Sequence, residues 1–452
     1  MIIDASIIEN GITPEILQKL IYENEKKRPR FKRNFDYYVG SHAIKGRVKY
    51  EGAANTKIVC NHAKYITDMI QSYLAGNPVT YSASDDYDIE AVKDAYFEQD
   101  ISGLDSEIVK HMSVFGRAYE LIYMDESSSL KSVILDPCDT FVVYDNTAQR
   151  NKLFAVYYYR RYDLDGICKG IKCCVYDDKA IYIYLGNSDS FYNMQLDSTE
   201  YHSFGAVPVI EYRNNEEKQG DFEQIISLID AYNLLQSDRI NDKEQFVEAF
   251  LFLTNIELDS EQAQKLKKER ILMGYEGAAA QYLSKVMTES DIKVLRDDIK
   301  EDIHRFSMVP DLSDESFGNN LSGVAIKYKL MGFEQHVKNK ERYFAKGLKE
   351  RFGMYEAVLS IKGSMREVPV SKVDIVFTRN LPVNELETAQ MINNLSGIVC
   401  NETLLEQVPF VSDAKEEQAL LEKEKQKSYS DRVKAVEGIA KGGGYDERFS
   451  NY

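Results

Sequence analysis

Four carboxylates crowd one short stretch, Asp297, Asp298, Glu301 and Asp302. A nuclease that uses two metal ions would hold them with such a cluster. The neighbouring residues argue against it. Lys293, Arg296, Lys300 and Arg305 are interleaved with the acids at three- and four-residue spacings, which on a helix gives a salt-bridged, solvated face. Asp85-Asp86 and Asp177-Asp178 fall where turns are expected, and Asp is favoured there because its side chain bonds nearby backbone. The six histidines are His42, His62, His111, His202, His304 and His336. No two of them stand four apart with a Glu between, the spacing by which a helix presents zinc ligands. The six cysteines, Cys60, Cys138, Cys168, Cys173, Cys174 and Cys400, include no CxxC pair. They read as reduced, mostly buried thiols. The sequence has neither a GxxxxGK[ST] phosphate loop nor a GxSxG elbow. Gly442-Gly443-Gly444 lacks the preceding strand of a nucleotide loop. The expectation is therefore no catalytic residue, no metal and no cofactor.

A chain of 452 residues with no compact catalytic constellation reads as a part of an assembly. Its length suits two to four domains or one elongated subunit, and 44% apolar residues suffice for a substantial core. The 31 Tyr and 20 Phe against no Trp favour strands and interfaces. The formal charge of −17 argues against a protein that coats DNA, since that needs a basic surface to release counterions. An acidic surface still suits DNA that must slide without being gripped. The first residues, MIIDASIIENGITPEIL, lack the basic start and apolar run of a secretory leader. No stretch reaches 18 apolar residues. Work in a cytoplasm, or in a particle assembled there, is expected, with no membrane partner.

These residues must be positioned by elements whose pattern changes along the chain. Thr13-Pro14-Glu15 starts a helix. The basic run Lys26, Lys27, Arg28, Arg30, Lys32 and Arg33 follows it, either as a solvated face or as a contact for a neighbour's acidic surface. Helical spacing returns over 58–75 and is stopped by Gly76-Asn77-Pro78 before a strand. Two helices are expected over 88–116. From 117 to 212 short aromatic and β-branched segments alternate with Asp-, Asn-, Ser- and Gly-rich turns, an antiparallel β-rich region. A helix without Gly or Pro is expected from 222 to 253, roughly 45 Å long. Residues 255–287 read as a helix over 261–268 and short β-like pieces around 271–273 and 281–286. A helix over 288–308 ends at Val309-Pro310, and a polar loop leads to a second long helix from Gly323. A strand over 373–377, segments over 386–398 and 403–407, and a charged helix from 414 to about 440 complete the chain before a disordered tail. The fold class is α+β.

Several segments, in order, resemble the portal proteins of long-tailed phages of Gram-positive bacteria. They are Tyr37-Tyr38-Val39-Gly40, Asn55-Thr56-Lys57-Ile58, Asn61-His62-Ala63-Lys64-Tyr65-Ile66 and Tyr73-Leu74-Ala75-Gly76-Asn77-Pro78-Val79. Phe115-Gly116-Arg117-Ala118-Tyr119-Glu120 and Asp136-Pro137 follow. The strongest block is Ser227-Leu228-Ile229-Asp230-Ala231-Tyr232-Asn233 with Ser237 and Asn241-Asp242. Val309-Pro310-Asp311-Leu312-Ser313-Asp314-Glu315-Ser316-Phe317 and Ser322-Gly323-Val324-Ala325-Ile326-Lys327 complete the set.

That resemblance implies a non-enzymatic ring of about twelve subunits at a capsid vertex. It also implies a division into parts: a wing with a β-rich region (1–220), a first stem helix (221–254), a small α/β clip (255–287), a second stem helix (288–309) and a tunnel loop (310–322). The long wing helix with a return strand (323–383) and a helical crown with a disordered tail (384–452) follow. Double-stranded DNA would pass through the channel without sequence readout. The terminase large subunit, a head-tail adaptor and the major capsid and scaffold proteins would be partners, in a virion assembled in bacterial cytoplasm. About twelve copies at −17 each would carry roughly −200, so positive contacts would be few and placed. Lys267, Lys268 and Arg270 in the clip, and Lys293, Arg296 and Lys300 on the second stem helix, are candidates for DNA or motor contact. In the tunnel loop Asp311, Ser313, Asn319, Asn320 and Ser322 offer short polar contacts, with Phe317 as an anchor. The competing readings are a minor head or scaffold-type structural protein and a metal-dependent nuclease.

Overall fold

The computed structural model describes residues 1–247 apart from 10, 52, 85, 188–190 and 192, the stretches 250–254, 279–283 and 289–313, and 323–427 apart from 380–384, 409–410, 412–413 and 416. The β-rich region is two antiparallel sheets packed face to face. One sheet has three strands in the order β10 (Val209–Arg213), β3 (Arg117–Met124), β4 (Leu130–Leu135). The other has six, in the order β1 (Ile2–Ile3), β5 (Thr140–Asp145), β6 (Lys152–Tyr162), β7 (Cys168–Tyr176), β8 (Ala180–Gly186), β9 (Gln195–Tyr201). The short β1 pairs parallel to β5. Strand alternation sorts the side chains. Phe141, Val143, Phe154, Val156, Ile171 and Cys173 face helix α1 (Pro14–Glu25) with its Leu17, Leu20 and Ile21. Val142, Ala155, Cys174 and Tyr176 face Tyr119, Leu135 and Val209 of the smaller sheet. The period of two therefore places apolar residues on both faces, as a sheet covered on both sides requires. The strands over 118–185 fall where their composition puts them, whereas β9, a polar and exposed edge strand, has no such signal.

Helix α2 (Arg28–Tyr38) is separate from α1, and Pro29 sits in its first turn, where its missing N–H costs nothing. Four residues of the basic run, Lys26, Arg28, Arg30 and Arg33, pair with this chain's own carboxylates. Arg30 and Arg33 reach Glu223 at 2.5 and 3.1 Å, Lys26 reaches Glu23 at 2.5 Å, and Arg28 bonds Asp139 and Glu25. Helix α3 (His62–Ala75), strand β2 (Thr80–Ala83), α4 (Glu90–Phe97) and α5 (Ile101–Phe115) then build the main helical core. Gly116 ends α5 with φ +77°, and a Cβ there would stand 2.1 Å from the Lys218 carbonyl oxygen. That crowding and the left-handed backbone together require glycine.

Helix α6 (Ile226–Val247) is shorter than its uninterrupted pattern suggests. Residues 250–254, expected to continue the helix, form strand β11 (Phe250–Thr254) against β12 (Ala279–Leu283). Phe250-Leu251-Phe252-Leu253-Thr254 is bulky and suits a strand once a partner is present. That partner lies beyond the window in which a helical period is read. Helix α7 (Glu289–Ser307) matches its expected range. Helix α8 (Gly323–Ile361) is 39 residues long, about 58 Å. Strand β13 (Val373–Val376) pairs with β2. The helices α9 (Glu385–Leu395) and α10 (Asn401–Leu405) follow. The helical residues 417–427 are exposed or half-exposed, as the charged composition suggests. The expected pieces at 261–268 and 271–273, the Thr288 cap and the tail after 427 lie outside the described residues.

The long helix α8 is held to the rest of the fold by one face. Phe333, Val337, Phe344, Leu348, Phe352 and Tyr355 are buried along it. Lys340 and Arg351, about three turns apart, carry buried charges on that same face. Lys340 Nζ donates to Asp221 at 2.7 Å and to Ser113 Oγ at 2.5 Å. Arg351 donates to Asp105 at 2.6 Å and to both oxygens of Glu120 at 2.9 and 3.0 Å. Burial opposes ionisation of Asp221, but Lys340 and His336 outweigh it and hold the carboxyl well below the usual range. Gly347 lies between these two cations, where a Cβ would stand 2.2 Å from the buried Tyr212 ring. Gly347→Ala is expected to cost about 1–3 kcal/mol by overpacking. A lower urea midpoint at unchanged slope checks it.

Candidate functional site

Helices α6 and α7 pack together, with Ile229, Tyr232, Ile303 and Val309 in the shared core. Met308 adopts φ +58°, turning the chain out of α7 into Pro310, and the polar loop begins there. Its first residues are clamped from two sides. The Tyr65 hydroxyl, on α3, donates to the Pro310 carbonyl at 2.8 Å and accepts from Leu312 N–H at 3.1 Å. Lys300, on α7, reaches Asp311 at 2.5 Å. Asp311 in turn accepts from Ser313 N–H at 3.0 Å and Ser313 Oγ at 2.6 Å. Burial opposes ionisation of Asp311, yet the Lys300 and Ser313 hydrogen bonds prevail and hold its carboxyl at about 2. The same ion pair raises Lys300.

A histidine pair lies under the clamp. His304 shares a 2.9 Å hydrogen bond with the Val309 carbonyl. The His62 ring meets His304 and Tyr232 edge-on, with centroids 5.7 and 4.9 Å away. Burial, then the charges of His304 and Lys300, lower His62 to about 4. A histidine kept neutral in the fold is protonated more readily once unfolded. Stability is therefore expected to fall as pH drops from about 6.5 toward 4. Thermal unfolding across that range checks this, and His62→Gln is expected to flatten the slope.

The other face of α6 carries a ladder of polar side chains. Asn233, Ser237 and Asn241 recur every four residues and are buried. They accept the N–H groups of Cys60 at 2.8 Å, Ile58 at 2.9 Å and Thr56 at 2.7 Å. The match is metric: four helical residues rise about 6 Å, and two extended residues span about 6.6 Å. Asn233 Nδ2 donates to His42 Nδ1 at 2.7 Å, while His42 Nε2 bonds the Tyr37 carbonyl at 2.9 Å. Arg47 and Lys49 pair with Asp238 at 2.6 and 3.2 Å. The segment from His42 to Cys60 is thus strapped along the helix.

Of the expected site residues, the structure joins Lys300, Asp311 and Ser313. Arg296 turns to its neighbour Asp297 at 2.6 Å, and Lys293 is exposed. Phe317, Asn319, Asn320 and Ser322, and Lys267, Lys268 and Arg270, lie outside the described residues. Composition and periodicity give no signal for the part of Tyr65 in the clamp or for the place of His304 beneath it. Asn233, Ser237 and Asn241 belong to a block quoted for its resemblance, and neither their shared face nor their partner segment is read from the sequence. Among the described residues, no group of three or more His, Cys, Asp or Glu could hold a metal ion, and no helix is long and apolar enough to cross a membrane.

The family described as "Phage portal protein, SPP1 Gp6-like" matches residues 17–430. The portal protein of Bacillus phage SPP1 is 27% identical over 439 residues, covering 90% of this chain and 86% of that protein. The portal protein of Clostridium phage phiCD119 is 25% identical over 394 residues, covering 82% and 85%. The matched range takes in the strapped helix α6, the clamp at Pro310–Leu312 and the long helix α8, and this chain belongs to the phage portal protein family.

Proposed function

We propose that this portal-family chain forms a closed ring of about twelve copies at one capsid vertex, and that double-stranded DNA enters and leaves through its channel. In this reading α6 and α7 are the stem, the β11–β12 region opens the clip and α8 is the wing helix. The helices after β13 belong to the crown. The clip faces the terminase large subunit during packaging and a head-tail adaptor afterwards. Major capsid and scaffold proteins surround the wing. The carrying observation is the double clamp of Tyr65 and Lys300 on residues 310–312, which fixes one end of a loop joining a stem helix to the wing helix. A loop that meets moving DNA needs an anchored base, and its polar residues need no base-reading groups because packaging is indifferent to sequence. The role is structural, with no reaction catalysed.

The test is deletion of residues 311–320. Rings are expected to form as before, because Lys300 is half-exposed and losing its partner costs little. DNA-filled heads should fall to a small fraction of wild type. Normal filling by the deletion variant would sink the loop assignment, and purified protein that shows no ring with a central hole in electron microscopy would sink the ring itself.

A further inference from the structure

The outward face of α8 carries charge of one sign. Lys327, Lys338, Arg342, Lys346 and Lys349 are exposed and fall within about a third of the helix circumference, over about 33 Å of its length. Lys338 stands 3.5 Å from Glu334 on the next turn. The other four have no ion pair with a described residue. Helix α7 is built differently: two of its basic residues pair with its own acids, Arg305 with both Glu301 and Asp302 and Arg296 with Asp297, and acids are in excess. A face meant only for solubility would mix the two signs evenly. On a chain of net charge −17, the α8 face departs from the overall balance.

We infer that this cationic face docks on the acidic outer face of α7 in the next copy of the chain. This rests on the ring reading above. A ring contact joins two different faces of the same subunit, and like-charged subunits approach best where their potentials are opposite. The α7 face offers Asp298, Glu301 and Asp302 against the single Arg305, with Val294, Leu295 and Phe306 exposed beside them at 59%, 50% and 63%. The α8 face has apolar counterparts in Tyr328 and Met331, 72% and 54% exposed. Those apolar groups favour a protein surface over a phosphate backbone, which would use the cations alone.

The experiment is a reciprocal charge reversal read by mass photometry across protein and salt concentration. Arg342→Glu/Lys346→Glu/Lys349→Glu is expected to raise the concentration at which rings form by about tenfold or more. Asp298→Lys/Glu301→Lys/Asp302→Lys should do the same, and the two together should restore assembly to within a few fold of wild type. All six positions are exposed or half-exposed, so unfolding midpoints should be unchanged. Wild-type assembly by either triple variant overturns the interface and leaves the ring reading standing. Rings intact but DNA retention lost in the basic-face variant assigns that face to a polyanion and also overturns the interface. A wild-type chain that stays monomeric at every concentration overturns the ring reading and the interface with it.

Discussion

Arg351→Met is expected to destabilise the fold around α8 by about 3–5 kcal/mol, the range for removing one partner of a buried ion pair. Total stability of a domain is only about 5–15 kcal/mol, so much of the molecule should be unfolded or insoluble. The reason is the arrangement around the guanidinium. Arg351 is fully buried, Glu120 likewise, and Asp105 nearly so. One cation serves two carboxylates, and Tyr212 donates to Glu120 at 2.6 Å. Methionine fills the volume but leaves two anions without a counter-charge in a dry site. The pH response discriminates this from a packing loss. Burial already lifts the Asp105 carboxyl to about 6 with the arginine in place, and losing the arginine's charge lifts it further. The variant should then recover more stability than wild type as pH falls from 8 to 5, because its folded state takes up protons more readily there and the unfolded state does not. Adding Asp105→Asn and Glu120→Gln should recover much of the loss without acid. Urea midpoints at the two pH values measure both effects. A variant as stable as wild type at pH 8 would show that the network contributes nothing net.

That network also shows where sequence reading stops. The apolar stripe of α8, Phe333, Val337, Phe344, Leu348 and Phe352, was legible because its period is local. Lys340 and Arg351 fall on the same face, yet a lysine or arginine on a long helix looks solvated until its partners are known. Those partners, Asp221, Asp105 and Glu120, lie more than a hundred residues away. Strand β11 was misread for the same reason, since Phe250–Thr254 becomes a strand only through Ala279–Leu283. At the site, a polar loop after Val309-Pro310 was evident from composition. Its clamp was not, because a tyrosine such as Tyr65 gives no hint of bonding a backbone some 245 positions on. The ordered motifs reached further than periodicity did. Asn55-Thr56-Lys57-Ile58 and Asn233 with Ser237 and Asn241, quoted as separate blocks, are two halves of one contact.

Asn233→Leu should therefore cost about 2–4 kcal/mol, more than one ordinary hydrogen bond. The substitution strips the Cys60 N–H of its acceptor and His42 Nδ1 of its donor in a buried site, and each orphan costs about 1–3 kcal/mol. It also breaks the first rung of a ladder whose other rungs, Ser237 and Asn241, act on the same strap. Hydrogen exchange should show the loss spreading in order, with the Cys60 amide fastest, then Ile58, then Thr56. Asn233→Asp gives a sharper reading. The carboxylate still accepts from Cys60 but offers His42 no proton, so it favours a protonated imidazole. In the wild type, burial holds His42 below its ordinary value. The aspartate should raise it. The variant would then be most stable below about pH 6 and lose that increment as pH rises through the new His42 value, opposite in sign to the acid-sensitive wild type. A pH profile of Asn233→Asp parallel to wild type would mean that His42 does not depend on Asn233, and the strap would have to be held by its backbone contacts alone.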